Sequence, residues 1–347
     1  MTRTPNVSRF ETALDFFEAL SPASGISAEY SSYQRVYRGH GQAEVPLMPS
    51  AFRREKWNEW LCHFCPNRAI QADWDSRLCK NQIWCEFLLL KCFFEIADRQ
   101  GLRLADDSQI LRAKLQEWTV YLNNLCLVEP ENDKNDEEEK LASWPPRILL
   151  SLMALAQHSR IPTRLLDWTW SPYVAAYFAA TNALRAHPNE RPEYLCVWVL
   201  FAAMFDLLES VIPGRQTIVL VTVPTAQNAN LRSQQGLFLL HRPQRGEIKA
   251  NGIFHCTPLE QKLNGPLYSL EKLMLPVSEA SELLRLLASQ GVHGASMFPG
   301  FEGVAASIQE RYVGNEGWPP IESWPRSKWE VQLRSHQKIL RQKAKSE

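Results

Sequence analysis

Three charged residues stand where an ordinary globular sequence would place apolar ones. In residues 33–41, YQRVYRGHG, strand alternation puts Val36 and Arg38 on one face. An arginine that shares a face with valine demands an anion. Its planar guanidinium suits phosphate through paired donors, and a salt bridge or a surface position is the plainer use. Residues 163–169, TRLLDWT, set Thr163, Arg164, Asp167 and Thr169 in a short extended segment between two apolar helical stretches. Covered by those neighbours, Arg164 and Asp167 must pair with each other or meet a charged ligand, because an isolated buried charge is costly.

The elements around that segment read clearly. A helix begins at Trp144, with Pro145 and Pro146 in its first turn and Leu149, Leu152, Met153 and Ala156 on one face. Pro162 is expected to end it, and His158 serves the helix end as a cation. Ser171-Pro172 opens a second helix as cap and first residue, with Val174, Ala175, Phe178 and Ala179 inward. Residues 194–201, 217–223 and 236–241 are short β-branched or aromatic runs, as buried strands are. The polar turn Arg232-Ser233-Gln234-Gln235-Gly236 feeds the third of them. A helix over 278–290 has Ser278 as its cap and Gly291 beyond its end. Phe298 to Gly303 makes a tight turn, after which Glu302 is placed to cap a last short helix.

Elsewhere the chain reads as packing. Residues 8–20 predict an N-terminal helix, with Ser8 and Glu11 spaced as a capping box. The stripe Ile83, Phe87, Leu90 and Phe94 predicts a core helix within a helical stretch over about residues 55–140, and Glu86 lies beside that stripe. EPENDKNDEEEK, residues 129–140, reads as a solvated acidic connection. The tail beyond residue 311 turns basic, which suits a solvated terminal helix or an arm that touches nucleic acid or a partner protein.

Composition narrows the classes. Lys and Arg number 38 against 38 Asp and Glu, so any nucleic-acid contact needs a local patch. No apolar run long enough to span a bilayer and no signal-peptide core is evident, which predicts a soluble, cytoplasmic protein. The eight cysteines are then expected to be reduced. Cys62 and Cys65 have metal-ligand spacing without a second pair to complete four ligands, so no metal site is assigned. P-loop, dinucleotide-fold, hydrolase-elbow and zinc-protease motifs do not occur.

The central segment resembles the FRG domain, named for a Phe/Tyr-Arg-Gly motif. Tyr37-Arg38-Gly39, Leu47-Met48-Pro49-Ser50, Ala156-Gln157-His158, residues 162–169 (PTRLLDWT), Ser171-Pro172, Gln234-Gln235-Gly236 with Phe238, and Phe298-Pro299 carry the resemblance in order. The sequence of features is similar to that of ADP-ribosyltransferases. The resemblance implies an α+β domain over residues 31–310, with a small split, mixed β-sheet wrapped by helices and interrupted by the helical insertion.

The same resemblance implies NAD as cofactor, with Tyr37, Arg38, Gly39, Thr163, Arg164 and Thr169 binding it. The third motif carries Gln234-Gln235 where a glutamate is expected. Either a glutamine positions the ribose, or Asp167 or Glu302 supplies the charge, or the site binds without reacting. The activity expected from the resemblance is ADP-ribosyl transfer to RNA, DNA or protein, in a toxin or anti-phage defence effector held by an antitoxin or another regulatory protein. A non-catalytic FRG-type module that binds nucleotide, nucleic acid or protein, and an enzyme that only hydrolyses NAD, are the alternatives.

Overall fold

The computed structural model describes residues 5–21, 35–65, 74, 78–104, 106–127, 141–202, 205, 217–225, 228–242, 255–263 and 269–313. Their apolar runs pair into a mixed sheet of strands β1 (Asn6–Arg9), β2 (Arg35–His40), β3 (Leu165–Thr169), β4 (Tyr194–Phe201), β5 (Ile218–Val221), β6 (Gly236–His241) and β7 (Leu270–Pro276). The spatial order is β1-β7-β4-β2-β3-β6-β5. The β1–β7 pair is parallel and the other neighbours are antiparallel. The sheet is pinched in the middle. β2 pairs with β4 from Arg35↔Phe201 to His40↔Cys196, and β3 pairs with β6 from Leu165↔Leu240 to Thr169↔Gly236. Between β2 and β3 only Tyr37↔Thr169 is in register.

The helices are α1 (Ala13–Ala19), α2 (Arg54–Glu59), α3 (Cys79–Arg99), α4 (Gln109–Leu127), α5 (Leu150–His158), α6 (Pro172–Leu184), α7 (Ala229–Ser233), α8 (Leu259–Lys262), α9 (Ala280–Ser289), α10 (Gly294–Met297) and α11 (Phe301–Val313). They cover the two halves of the sheet separately. Val174, Ala175 and Ala179 of α6 and Leu283 and Leu287 of α9 pack on Val197, Val199 and Leu273. Ile83 and Phe87 of α3, with Leu152 and Met153 of α5, pack on Leu165, Phe238 and Leu240. On the opposite face, Val36, Leu166, Trp168, Trp198, Leu237 and Leu239 pack with Leu47, Leu259 and Leu263. The stretch expected as an insertion therefore supplies about half of the core cluster on the β3–β6 face. Its apolar stripe has the β3–β6 face to cover.

Several boundaries differ from the expectations. The N-terminal segment is not one helix, because residues 6–9 add to the sheet edge beside β7. The cap of α1 is Thr12, whose hydroxyl accepts from Asp15 N. α5 stops at His158, before Pro162, with Arg160 in the left-handed region at φ 67° and Ile161 N bonded to Ala156 O. Residues 277–279 form a 3-10 turn before α9, so Ser278 is not its cap. Ser171 does cap α6, accepting from Val174 N at 3.3 Å. The domain edge expected near residue 310 falls inside α11. The acidic run 129–140 and the basic tail from residue 314 lie outside the described residues. Among the described residues, no helix is long and apolar enough to cross a membrane.

Candidate functional site

A cleft of about 510 Å³ opens where the sheet is pinched. β2 and β3 form its floor, the end of α5 and the start of α6 flank it, and α7, Phe298 and Glu302 complete its rim. The two strands share a single registered pair, and the cleft opens beside it.

Arg38 and Asp167 meet in that cleft. By alternation Arg38 starts on the face of Val36 and His40, as the sequence predicts. Its Nη1 reaches across to the main-chain oxygen of Asp167 at 2.5 Å and lies 3.8 Å from Oδ2. Nε donates to His40 Nε2 at 2.9 Å. Nη2 has no hydrogen-bond partner among the described residues. Burial pushes the Arg38 pKa down to about 10, against the opposing pull of Asp167. The group stays charged at neutral pH.

Asp167 is the exposed member of the pair, with 64% of its side chain accessible. Gln157 Nε2 donates to its Oδ1 at 2.7 Å. The amide is oriented by the Thr163 hydroxyl, which donates to Gln157 Oε1. Thr163 is anchored in turn by Ser50, whose Oγ accepts from Thr163 N at 3.1 Å. A fixed relay thus holds a solvent-facing carboxylate beside a half-buried guanidinium.

Arg164 takes no part in this cleft. It is fully buried and pairs with Glu86, Nε to Oε2 at 2.6 Å and Nη2 to Oε1 at 2.9 Å. Trp144 Nε1 and Gln82 Nε2 also donate to that carboxylate. The expected Arg164–Asp167 pair does not form: Arg164, just before β3, turns to Glu86 of α3, while Asp167, inside β3, lies beside Arg38 and Gln157. Arg164, expected to bind a cofactor, therefore joins α3 to β3 and does not line the cleft. Thr163 is likewise a support, being nearly fully buried behind Gln157.

Gly39 also has a packing role. A Cβ there would stand 1.9 Å from Ala175 O, so the missing side chain lets β2 approach α6 closely. The glycine lies within the strand, not in a turn that could wrap phosphate. Tyr37 is nearly fully buried and lines the cleft wall. Thr169 lines it too, but its hydroxyl is engaged, donating to Gln234 O at 2.7 Å and accepting from Ser171 N at 3.0 Å.

The two glutamines separate. Gln234 lines the cleft, and its Nε2 donates to Met297 O at 3.3 Å. Gln235 is exposed, does not line the cleft, and occupies the left-handed region at φ 47°, while its carbonyl accepts from Trp170 N at 3.1 Å. It is the turn residue that starts β6. Glu302 sits exposed in the first turn of α11 on the cleft rim.

Residues to which the sequence reading gave no role in a site complete this one. His40 lies two positions from Arg38 on the same strand face, a spacing that could have revealed it. Asn230 lines the cleft, with its Nδ2 3.1 Å from His158 Nε2. Phe178 and Phe298 meet edge to face at 6.1 Å and form an apolar wall. Only the folded chain brings these together. Arg53 stands behind the site, with Nε and Nη2 donating to Met48 O, and burial lowers its pKa. Among the described residues, no group of three or more His, Cys, Asp or Glu side chains is arranged to hold a metal ion. Neither Cys62 nor Cys65 forms a disulfide with a described residue.

Residues 102–187 match the model of the FRG domain. The chain carries an FRG domain. The matched segment runs from before α4 to just beyond α6, so it contains Gln157, Asp167, Thr169 and Phe178. Arg38 and Gln234 lie outside the matched FRG segment and are joined to it by the pairing of β2 and β6 with β3. No curated protein and no solved structure matches the chain.

Proposed function

We propose that the cleft binds NAD and transfers its ADP-ribose unit to a macromolecular acceptor, RNA, DNA or protein. The observation that carries this reading is the meeting of Arg38 with Asp167 at the pinch of a split sheet. The pair offers a guanidinium to a diphosphate and an exposed, amide-held carboxylate to a sugar. A cleft of about 510 Å³ is in the range of cofactor sites, roughly 300–1,000 Å³.

Arg38 offers Nη2 and the second N–H of Nη1 to the diphosphate. Phe178 and Phe298 offer an apolar surface to an aromatic ring. In the transfer, the ribose C1′–nitrogen bond breaks, nicotinamide leaves with the bonding pair, and the acceptor forms a new bond to C1′ as it gives up its proton. Asp167 balances the positive charge that develops on the ribose and stands ready to take that proton. Gln234 holds a ribose hydroxyl but, as an amide, accepts no proton at neutral pH. Glu302 is the second carboxylate within reach of the rim.

A binding module without turnover is the second reading. It is favoured by the engagement of Arg38 with both His40 and Asp167. Incubation with NAD labelled in the adenylate half, together with cell lysate, separates the readings. Label on a polymer, followed by nuclease or protease digestion, identifies transfer and the acceptor class. Free nicotinamide without labelled polymer identifies an NAD glycohydrolase. Intact NAD under all conditions defeats both enzymatic readings.

A further inference from the structure

We propose that His40 is a positioning residue, which fixes the Arg38 guanidinium through Nε and so presents Nη2 to an anionic group in the cleft. The functional half of this inference rests on the reading of the cleft as an NAD site; the geometric half stands apart from it.

The hydrogen-bond roles follow from chemistry. A guanidinium only donates, so His40 Nε2, 2.9 Å from Arg38 Nε, must be the bare nitrogen. The ring proton then sits on Nδ1 and donates to Val45 O at 3.2 Å. A protonated imidazole would carry a hydrogen on both nitrogens and confront the arginine with a second donor. His40 is almost completely buried, so water is a poor substitute partner. Burial first, then the cationic Arg38, Arg53 and Lys272 around it, keep the ring neutral, and only its contact with Val45 O opposes them.

Arg38 is thus held at two points, Nε by His40 and Nη1 by the main chain of Asp167. Two fixed donors define the plane of the guanidinium. The N–H groups left over are those of Nη2 and the second one of Nη1. An arginine without the histidine would have to be ordered by its ligand, at a cost in affinity.

The test uses the full chain. Nitrogen-15 NMR of labelled histidine should show His40 neutral with the proton on Nδ1 at neutral pH. In His40→Ala, solvent exchange of the Arg38 Nε–H should quicken about tenfold, as for loss of one hydrogen bond. His40→Gln, whose Oε1 can accept from Nε, should stay near the wild-type rate. With NAD as the calorimetric probe, Kd should rise about tenfold in His40→Ala and recover in His40→Gln. A protonated His40, or a proton on Nε2, overturns the proposal. So does an unchanged exchange rate in His40→Ala, or, should that variant not fold, a rate in His40→Gln raised as far as that of the free side chain. Wild-type protein that binds no NAD overturns the NAD reading alone, because tautomer and exchange still decide the role of His40.

Discussion

Arg38 and Asp167 meet across the only registered contact between the two halves of the sheet, with Arg38 Nη1 on the main-chain oxygen of Asp167 at 2.5 Å. The arginine reaches across the opening beside that contact to the main chain of β3. Its side chain therefore both closes the floor of the cleft and offers charge to it.

Arg38→Ala should weaken NAD binding while the chain keeps its circular-dichroism spectrum. A hydrogen bond to a charged group contributes about 1.5–3 kcal/mol, so the affinity should fall roughly tenfold to more than a hundredfold. Arg38→Lys should rescue poorly, since one ammonium cannot serve His40, Asp167 and a ligand together. Calorimetry that gives all three proteins the same affinity would remove Arg38 from the site.

Asp167→Asn should lower turnover by a factor on the order of 10² to 10³ with little change in NAD affinity, because its charge matters mainly as the ribose becomes positive. Gln234→Ala should lower turnover by on the order of 10². Gln235→Ala should leave turnover near wild type, since that side chain does not line the cleft. Single-turnover measurement at saturating NAD checks all three. A strong defect in Gln235→Ala alone would reverse the assignment of the two glutamines.

The Arg164–Glu86 pair makes a prediction about stability alone. Both side chains are almost completely inaccessible, so Glu86→Gln or Arg164→Met strands a buried partner and should cost about 3–5 kcal/mol in urea unfolding. The double replacement Glu86→Leu with Arg164→Met removes both charges and should recover most of that loss. A double variant no more stable than the worse single one would contradict the ion-pair account.

His40 predicts the direction of acid sensitivity. Its folded pKa is depressed well below 6.5 by burial first and by Arg38 and Arg53 next. Between the folded and unfolded values the unfolded chain binds more protons, so stability rises with pH there. The contribution of His40 is complete above about pH 6.5 and is lost as pH falls toward its folded value. Urea midpoints measured from about pH 7 to about pH 5 should fall more steeply for wild type than for His40→Gln. Parallel slopes would mean that His40 does not titrate in this window.

The local sequence determined most of the elements. The β-branched runs, the Ser171-Pro172 cap and the glycine after α9 fixed β4, β5, β6, α6 and the end of α9 to within a few residues, because periodicity and capping act over a few positions. The match of the FRG domain to residues 102–187 agrees with the central motif. Tertiary structure decided which charges meet. Arg164 and Asp167 lie three residues apart in one motif, and Glu86 and Arg38 lie far from both in sequence. Nothing in the chain order says that Arg164 goes to Glu86 while Asp167 goes to Arg38. That choice belongs to the pinch between β2 and β3, which turns Asp167 toward solvent, and to the packing of α3 on the β3–β6 face, which encloses Arg164. Burial settles the division: the enclosed arginine requires a fully buried carboxylate, and the exposed aspartate is left for the cleft.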